Sequence, residues 1–177
     1  RTEPAEVLDA LDALADVARA EGGGVLAVDD DPVMRTIVKV ACEHMNLSIA
    51  VTGDPAAFHD ALRTSDPELL VIDVDLGATS GLDLVRDVRA MEEFARTPVL
   101  VLSGHADAAT RDTAFATGAD DYMLKPFAPA EFQRRVNALL DAQRRRLAST
   151  GIHAPSGVSL PARTLRDFDS ELAGRAR

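Results

Sequence analysis

Five short runs rich in β-branched and aliphatic residues recur along the chain, each separated from the next by a stretch of helical periodicity. The runs are "VLAV" (Val25–Val28), "LSIAV" (Leu47–Val51), "ELLVID" (Glu68–Asp73), "PVLVLS" (Pro98–Ser103) and "DYMLK" (Asp121–Lys125). Between them lie "PVMRTIVKVACEHM", "DPAAFHDALRTS", "GLDLVRDVRAMEEF" and "DAATRDTAFATG", and "APAEFQRRVNALLDAQRRRLA" follows the last. Alternation at this spacing predicts βαβ units and a parallel sheet. The runs are continuously apolar, as strands are when helices cover both faces. Asp31 before Pro32 and Asp54 before Pro55 are predicted helix caps, because a carboxylate there accepts from the first free amides. The expected class is α/β, and 177 residues allow one domain with a core and short attachments.

The attachments are predicted at both ends. In "PAEVLDALDALADVARAEGGG" the residues Val7, Leu8, Leu11, Leu14, Val17 and Ala18 recur at helical spacing, and Gly22 to Gly24 end the run. Residues 1–23 are therefore expected to form a linker helix, residues 24–142 the α/β domain, and residues 143–177 a helical C-terminal extension. The amphipathic first helix and the long last helix both permit a homodimer. The chain starts at Arg1 rather than Met, as expected of a piece of a longer protein. A net charge of −10 argues against nucleic-acid binding by this chain. No apolar run approaches the roughly 18 residues of a membrane span, and no basic-then-apolar signal peptide is visible. The single cysteine, Cys42, cannot form an internal disulfide and sits in a helical pattern as a small core residue. A reducing, cytoplasmic setting is the simplest expectation.

Open parallel sheets present their working groups at the carboxyl ends of the strands. There the first run is followed by Asp29, Asp30 and Asp31, and the third ends in Asp73. The fourth ends in Ser103, followed by Gly104 and His105, and the fifth in Lys125, followed by Pro126. Bare carboxylates crowded together repel one another, and burial makes each more costly. A hard divalent cation resolves that repulsion, and Mg2+ takes a few carboxylates plus water and phosphate oxygens. The cation can neutralise a phosphoryl group approaching Asp73, with Lys125 and Ser103 on its remaining oxygens. A carboxylate nucleophile for phosphate is established chemistry. The loop after the first run has no glycines to cradle a nucleotide phosphate.

Over about Val25 to Leu140 the chain resembles the receiver domain of bacterial two-component response regulators. The resemblance rests on "VLAVDDDP", "LLVIDVDLGATSGLDL", "VLVLSGHAD" and "GADDYMLKPF". It implies a doubly wound, flavodoxin-like sheet of five parallel strands in the order 2-1-3-4-5, here with the extra N-terminal helix and the C-terminal extension. By position, Asp29 and Asp30 match the metal-binding acid pair and Asp73 the phosphoacceptor. The backbone carbonyl of Asp75 matches a further Mg2+ ligand, and Lys125 the family lysine, with a cis Lys125–Pro126 bond. Ser103 matches the hydroxyl that follows the phosphoryl group, and Tyr122 the aromatic that swings inward with it. The implied donor is a histidine kinase or a histidine phosphotransfer protein. The implied activity is limited to self-phosphorylation and self-dephosphorylation, switching an attached or partner output through the surface of the fourth helix, fifth strand and fifth helix.

The loop after the phosphoacceptor departs from the family's usual "MPxMDG". It is "LGATSG" (Leu76–Gly81), with Gly77 in place of the proline, which implies a looser loop. Asp75 and His105 occupy positions that tune hydrolysis in this family, and both are expected to set the phosphoryl lifetime; the alternative is that both are solvated loop residues. "VIDVDLGAT" also resembles the first motif of haloacid-dehalogenase-type phosphatases, but the acid pair at Asp29 and Asp30 precedes Asp73, against that family's order. A receiver-like docking module that takes no phosphate is the other alternative. "SLPARTLRDFDSEL" (Ser159–Leu172) resembles the entry segment of diguanylate cyclase (GGDEF) domains. Ala162 replaces the guanine-contacting asparagine and the signature loop is absent from this chain. For a parent that continues into such an output domain, the resemblance implies a degenerate one.

Overall fold

A computed structural model describes residues 24–149. The expected linker helix of residues 1–23 and the GGDEF-like stretch at Ser159–Leu172 lie outside the described residues.

Five strands form one parallel sheet: β1 (Val25–Val28), β2 (Ile49–Thr52), β3 (Leu69–Asp73), β4 (Val99–Ser103) and β5 (Asp121–Leu124). Their spatial order is β2-β1-β3-β4-β5, the order expected. Five helices connect or follow them: α1 (Pro32–Glu43), α2 (Pro55–Ser65), α3 (Gly81–Ala90), α4 (Ala108–Thr117) and α5 (Pro129–Ser149). The three central strands β1, β3 and β4 are buried along their whole length.

Successive side chains of a strand point to opposite faces, so each apolar strand feeds two cores. On one face Leu26, Val28, Leu70, Ile72, Val99 and Val101 meet Phe58 and Leu62 of α2, Leu84, Val85 and Val88 of α3, and Ala114 of α4. On the other face Val25, Ala27, Leu69, Val71, Leu100 and Leu102 meet Val38, Ala41 and Cys42 of α1 and Phe132, Val136 and Leu140 of α5. Cys42 is a core residue as expected, and burial pushes its thiol up to about 12, so it is no nucleophile.

Local chemistry sets the boundaries. The Asp31 carboxylate accepts from the Val33 amide at 2.8 Å and the Asp54 carboxylate from the Ala57 amide at 2.9 Å, so both cap their helices. β2 starts at Ile49 rather than Leu47, because the Leu47 amide instead donates to the Cys42 carbonyl at the end of α1. α3 stops at Ala90 rather than Phe94, where Met91 turns to extended backbone. The departing loop closes as a hairpin, with Asp75 paired to Ser80 and Leu76 to Thr79. Gly77 takes φ +66° at the first turn position, a conformation open to glycine. The Lys125–Pro126 bond is cis, as expected.

Candidate functional site

Strand register assembles the carboxyl edge of the sheet. Val28 stands beside Ile72, so the next residues, Asp29 and Asp73, emerge at one level. Asp73 stands beside Leu102, and Ser103 beside Leu124, which brings Lys125 over the same edge. Asp29 and Asp73 are buried, with side chains 3% exposed, while Asp30 is exposed.

One ammonium serves two of these carboxylates. Lys125 Nζ donates to Asp29 Oδ2 at 2.6 Å and lies 2.9 Å from Asp73 Oδ2. Burial alone would lower the Lys125 ammonium, but its bonds to Asp29 and Asp73 raise it, and it stays charged. Asp29 Oδ1 accepts from the Asp31 amide at 2.9 Å. Asp73 Oδ1 is buried with no hydrogen-bond partner. Burial pushes the Asp73 carboxyl up to about 6; the Lys125 hydrogen bond opposes the rise and the Asp29 charge adds to it.

Asp29, Asp30 and Asp73 each offer an oxygen, all within 4.8 Å of one another. Three carboxylates therefore face one ammonium, and one buried oxygen is orphaned. The donor set is hard oxygen, which suits a divalent cation of the Mg2+ type. Among the described residues, these three carboxylates are the group that fits an ion.

The other predicted residues form a second layer around His105. The His105 amide donates to Ser103 Oγ at 3.0 Å, and the Tyr122 hydroxyl donates to the His105 carbonyl at 2.6 Å. The His105 imidazole Nε2 lies 3.1 Å from Asp75 Oδ1, and that contact raises its affinity for a proton. Ser103 is fully buried and Tyr122 lies inward, within the core shared with α4. Ser103 Oγ is thus engaged by the loop after β4, and the structure gives it no hydrogen bond to Asp73. Asp75 and His105, expected separately, are brought together across the loops after β3 and β4.

Two residues of the site escaped the sequence reading. Arg35 Nη1 donates to the main-chain carbonyls of Asp29 and Asp30. A lone arginine in an amphipathic helix carries no signal for such a role. Gly81 opens α3 directly against β3, where a Cβ would overlap the Asp73 carbonyl oxygen and stand 2.7 Å from its carbon. Its signal was present, as the glycine that closes "LGATSG".

Residues 25–137 match the family described as response regulator receiver domain. The chain is 33% identical over 121 residues to the transcriptional regulatory protein GltR of Pseudomonas aeruginosa, covering 68% of this chain and 50% of that protein. It is 34% identical over 132 residues to the transcriptional regulatory protein TrcR of Mycobacterium tuberculosis, covering 73% and 51%. The chain thus spans about half the length of these curated relatives. A solved response regulator from Thermotoga maritima superposes with a TM-score of 0.61 at 31% identity, over 67% of this chain and 98% of that one.

Proposed function

The chain belongs to the response regulator receiver family, and we propose that its phosphoacceptor is Asp73, loaded from the phosphohistidine of a histidine kinase or histidine phosphotransfer protein. The observation that carries this assignment is the orphaned, buried Asp73 Oδ1 at the centre of an acidic, cation-poor edge. In the transfer a bond forms between an Asp73 carboxylate oxygen and phosphorus. The phosphorus–nitrogen bond of the donor breaks, and its electron pair leaves with the imidazole.

Asp29, Asp30, Asp73 and the backbone carbonyl of Asp75 would hold Mg2+. When bound, the cation supplies charge neutralisation for the phosphoryl oxygens. The rest falls to this chain's own side chains. Lys125 is already poised 2.9 Å from Asp73 Oδ2 and can follow a phosphoryl oxygen there. Ser103 Oγ accepts from the His105 amide, so its own proton can be donated to the phosphoryl group. A shift of Ser103 would move His105, and with it the carbonyl that holds the Tyr122 hydroxyl. Tyr122 belongs to β5, so the change would reach the surface of α4, β5 and α5, where Phe115 and Leu124 expose apolar side chains. The paired Asp75 and His105 lie on the two loops flanking Asp73, a location that supports their setting the phosphoryl lifetime.

We propose a receiver of residues 24–142, preceded by a linker helix at 1–23 and followed at 143–177 by an extension into an output domain, working in the cytoplasm. Among the described residues no helix is long and apolar enough to cross a membrane. The test is intact-mass spectrometry after incubation with acetyl phosphate. A labile gain of one phosphoryl group that needs Mg2+ and is absent in Asp73→Asn is the expected result. Steady phosphate release from many small esters, or no adduct at all, would overturn the proposal.

A further inference from the structure

Neighbouring residues of an extended chain point their side chains, and their carbonyls, to opposite sides. Asp29 and Asp30 are neighbours, yet their carboxylates converge with Asp73 within 4.8 Å. Something must turn the chain between them. The Asp29 and Asp30 carbonyls both accept from the same nitrogen, Arg35 Nη1, at 2.8 and 2.9 Å. The guanidinium reaches back from α1 and gathers two successive carbonyls onto one side. The Asp31 amide, bonded to Asp29 Oδ1, continues the same turn.

A second feature makes room for this contact. Gly53, just past β2, lies against the guanidinium: a Cβ there would stand 3.1 Å from Nη1 and 3.4 Å from Cζ. Among the described residues, Arg35 makes no ion pair with a carboxylate. Its charge therefore sits behind the acidic turn, where it offsets the repulsion between carboxylates without occupying an oxygen that a cation needs.

We propose that Arg35 is a positioning residue for the cation site, seated by Gly53, and that it sets the affinity for Mg2+ by holding the Asp29–Asp30 turn. The inference rests on the receiver reading given above. It is tested by calorimetric titration of the whole chain with MgCl2, alongside urea unfolding of each variant in EDTA. Arg35→Ala is expected to weaken Mg2+ binding by about 10–100-fold, the usual cost of losing a group that orients metal ligands. Arg35→Lys, which keeps a cationic donor, should recover part of that loss. Gly53→Val, which keeps the arginine but pushes its guanidinium away, should weaken binding in the same direction. Gly53→Ala gives a milder version should the valine variant fail to fold.

A structural role alone would lower the urea midpoint and leave Mg2+ affinity untouched. Wild-type affinity in Arg35→Ala or in both Gly53 variants would therefore overturn this inference and leave the receiver reading standing. Failure of the native chain to bind Mg2+ would overturn both.

Discussion

The same sheet carries a charged cluster at each edge, and the two clusters are built on opposite plans. At the amino edge, Arg89 of α3 donates through Nε to the Gly118 carbonyl at 2.9 Å and through Nη1 to the Thr97 carbonyl at 2.8 Å. Its Nη2 meets Asp120 Oδ2 at 2.8 Å, and that oxygen also accepts from the Val99 amide, the first of β4. Charges balance there, and the cluster ties the starts of β4 and β5 together. At the carboxyl edge three carboxylates converge, one lysine pairs with only two of them, and a buried oxygen has no partner. A satisfied buried network rigidifies a fold, whereas a half-satisfied one is costly. The contrast separates a cluster whose charges and hydrogen bonds are matched from one in which carboxylates outnumber their cationic partners.

The comparison can be broken at either end. The largest effect is expected at Gly81, where any side chain collides with the Asp73 backbone. Gly81→Ala should destabilise the chain by about 3 kcal/mol, the upper part of the overpacking range, because backbone cannot yield as a side-chain tip can. Urea unfolding measures it, and an unchanged midpoint would mean that α3 can back away from β3. Next comes the amino edge. Arg89→Ala should cost about 2–3 kcal/mol, since it strands Asp120 and several carbonyls in a partly buried place. A loss below about 0.5 kcal/mol, the size typical of an ordinary surface substitution, would mean that the cluster is decorative.

The carboxyl edge should respond to pH. The folded Asp73 carboxyl titrates near 6, above its ordinary 3.8. The folded state thus holds this proton more tightly than the unfolded state does. In the metal-free chain its charged form opposes folding at pH 7, and stability is regained as pH falls from above 6 towards 4. The share due to Asp73 is about 1–2 kcal/mol. Unfolding midpoints of the native chain and Asp73→Asn across that range isolate it, and parallel curves would refute it. The smallest effect belongs to the exposed Asp75–His105 contact. His105→Ala should change the lifetime of the phosphorylated chain by about two- to fivefold, the kinetic size of one modest hydrogen bond. Timed intact-mass measurements would show it, and an unchanged lifetime would make both residues solvated loop positions.

What could be foreseen from sequence follows the same division. Strands and helices announced themselves because apolar periodicity and Asp–Pro caps are local. The acids, Ser103 and Lys125 were visible because parallel topology sends every strand end to one edge. What was not visible depends on side chains crossing between distant elements. Nothing local marks Arg89 as the partner of Asp120 31 residues away, or pairs Asp75 with His105 30 residues on. The hairpin in "LGATSG" was hidden for another reason: its Gly77 reads as freedom until the pairing of Asp75 with Ser80 gives that freedom a use.

The central claim is that the carboxyl edge is unfavourable without a divalent cation and is relieved by one. Urea unfolding of the native chain and Asp73→Asn at pH 7, each in EDTA and in excess MgCl2, tests it most directly. In EDTA the asparagine variant should be the more stable, and Mg2+ should stabilise the native chain more than the variant. A native chain that is more stable than Asp73→Asn in EDTA and indifferent to Mg2+ would contradict the account.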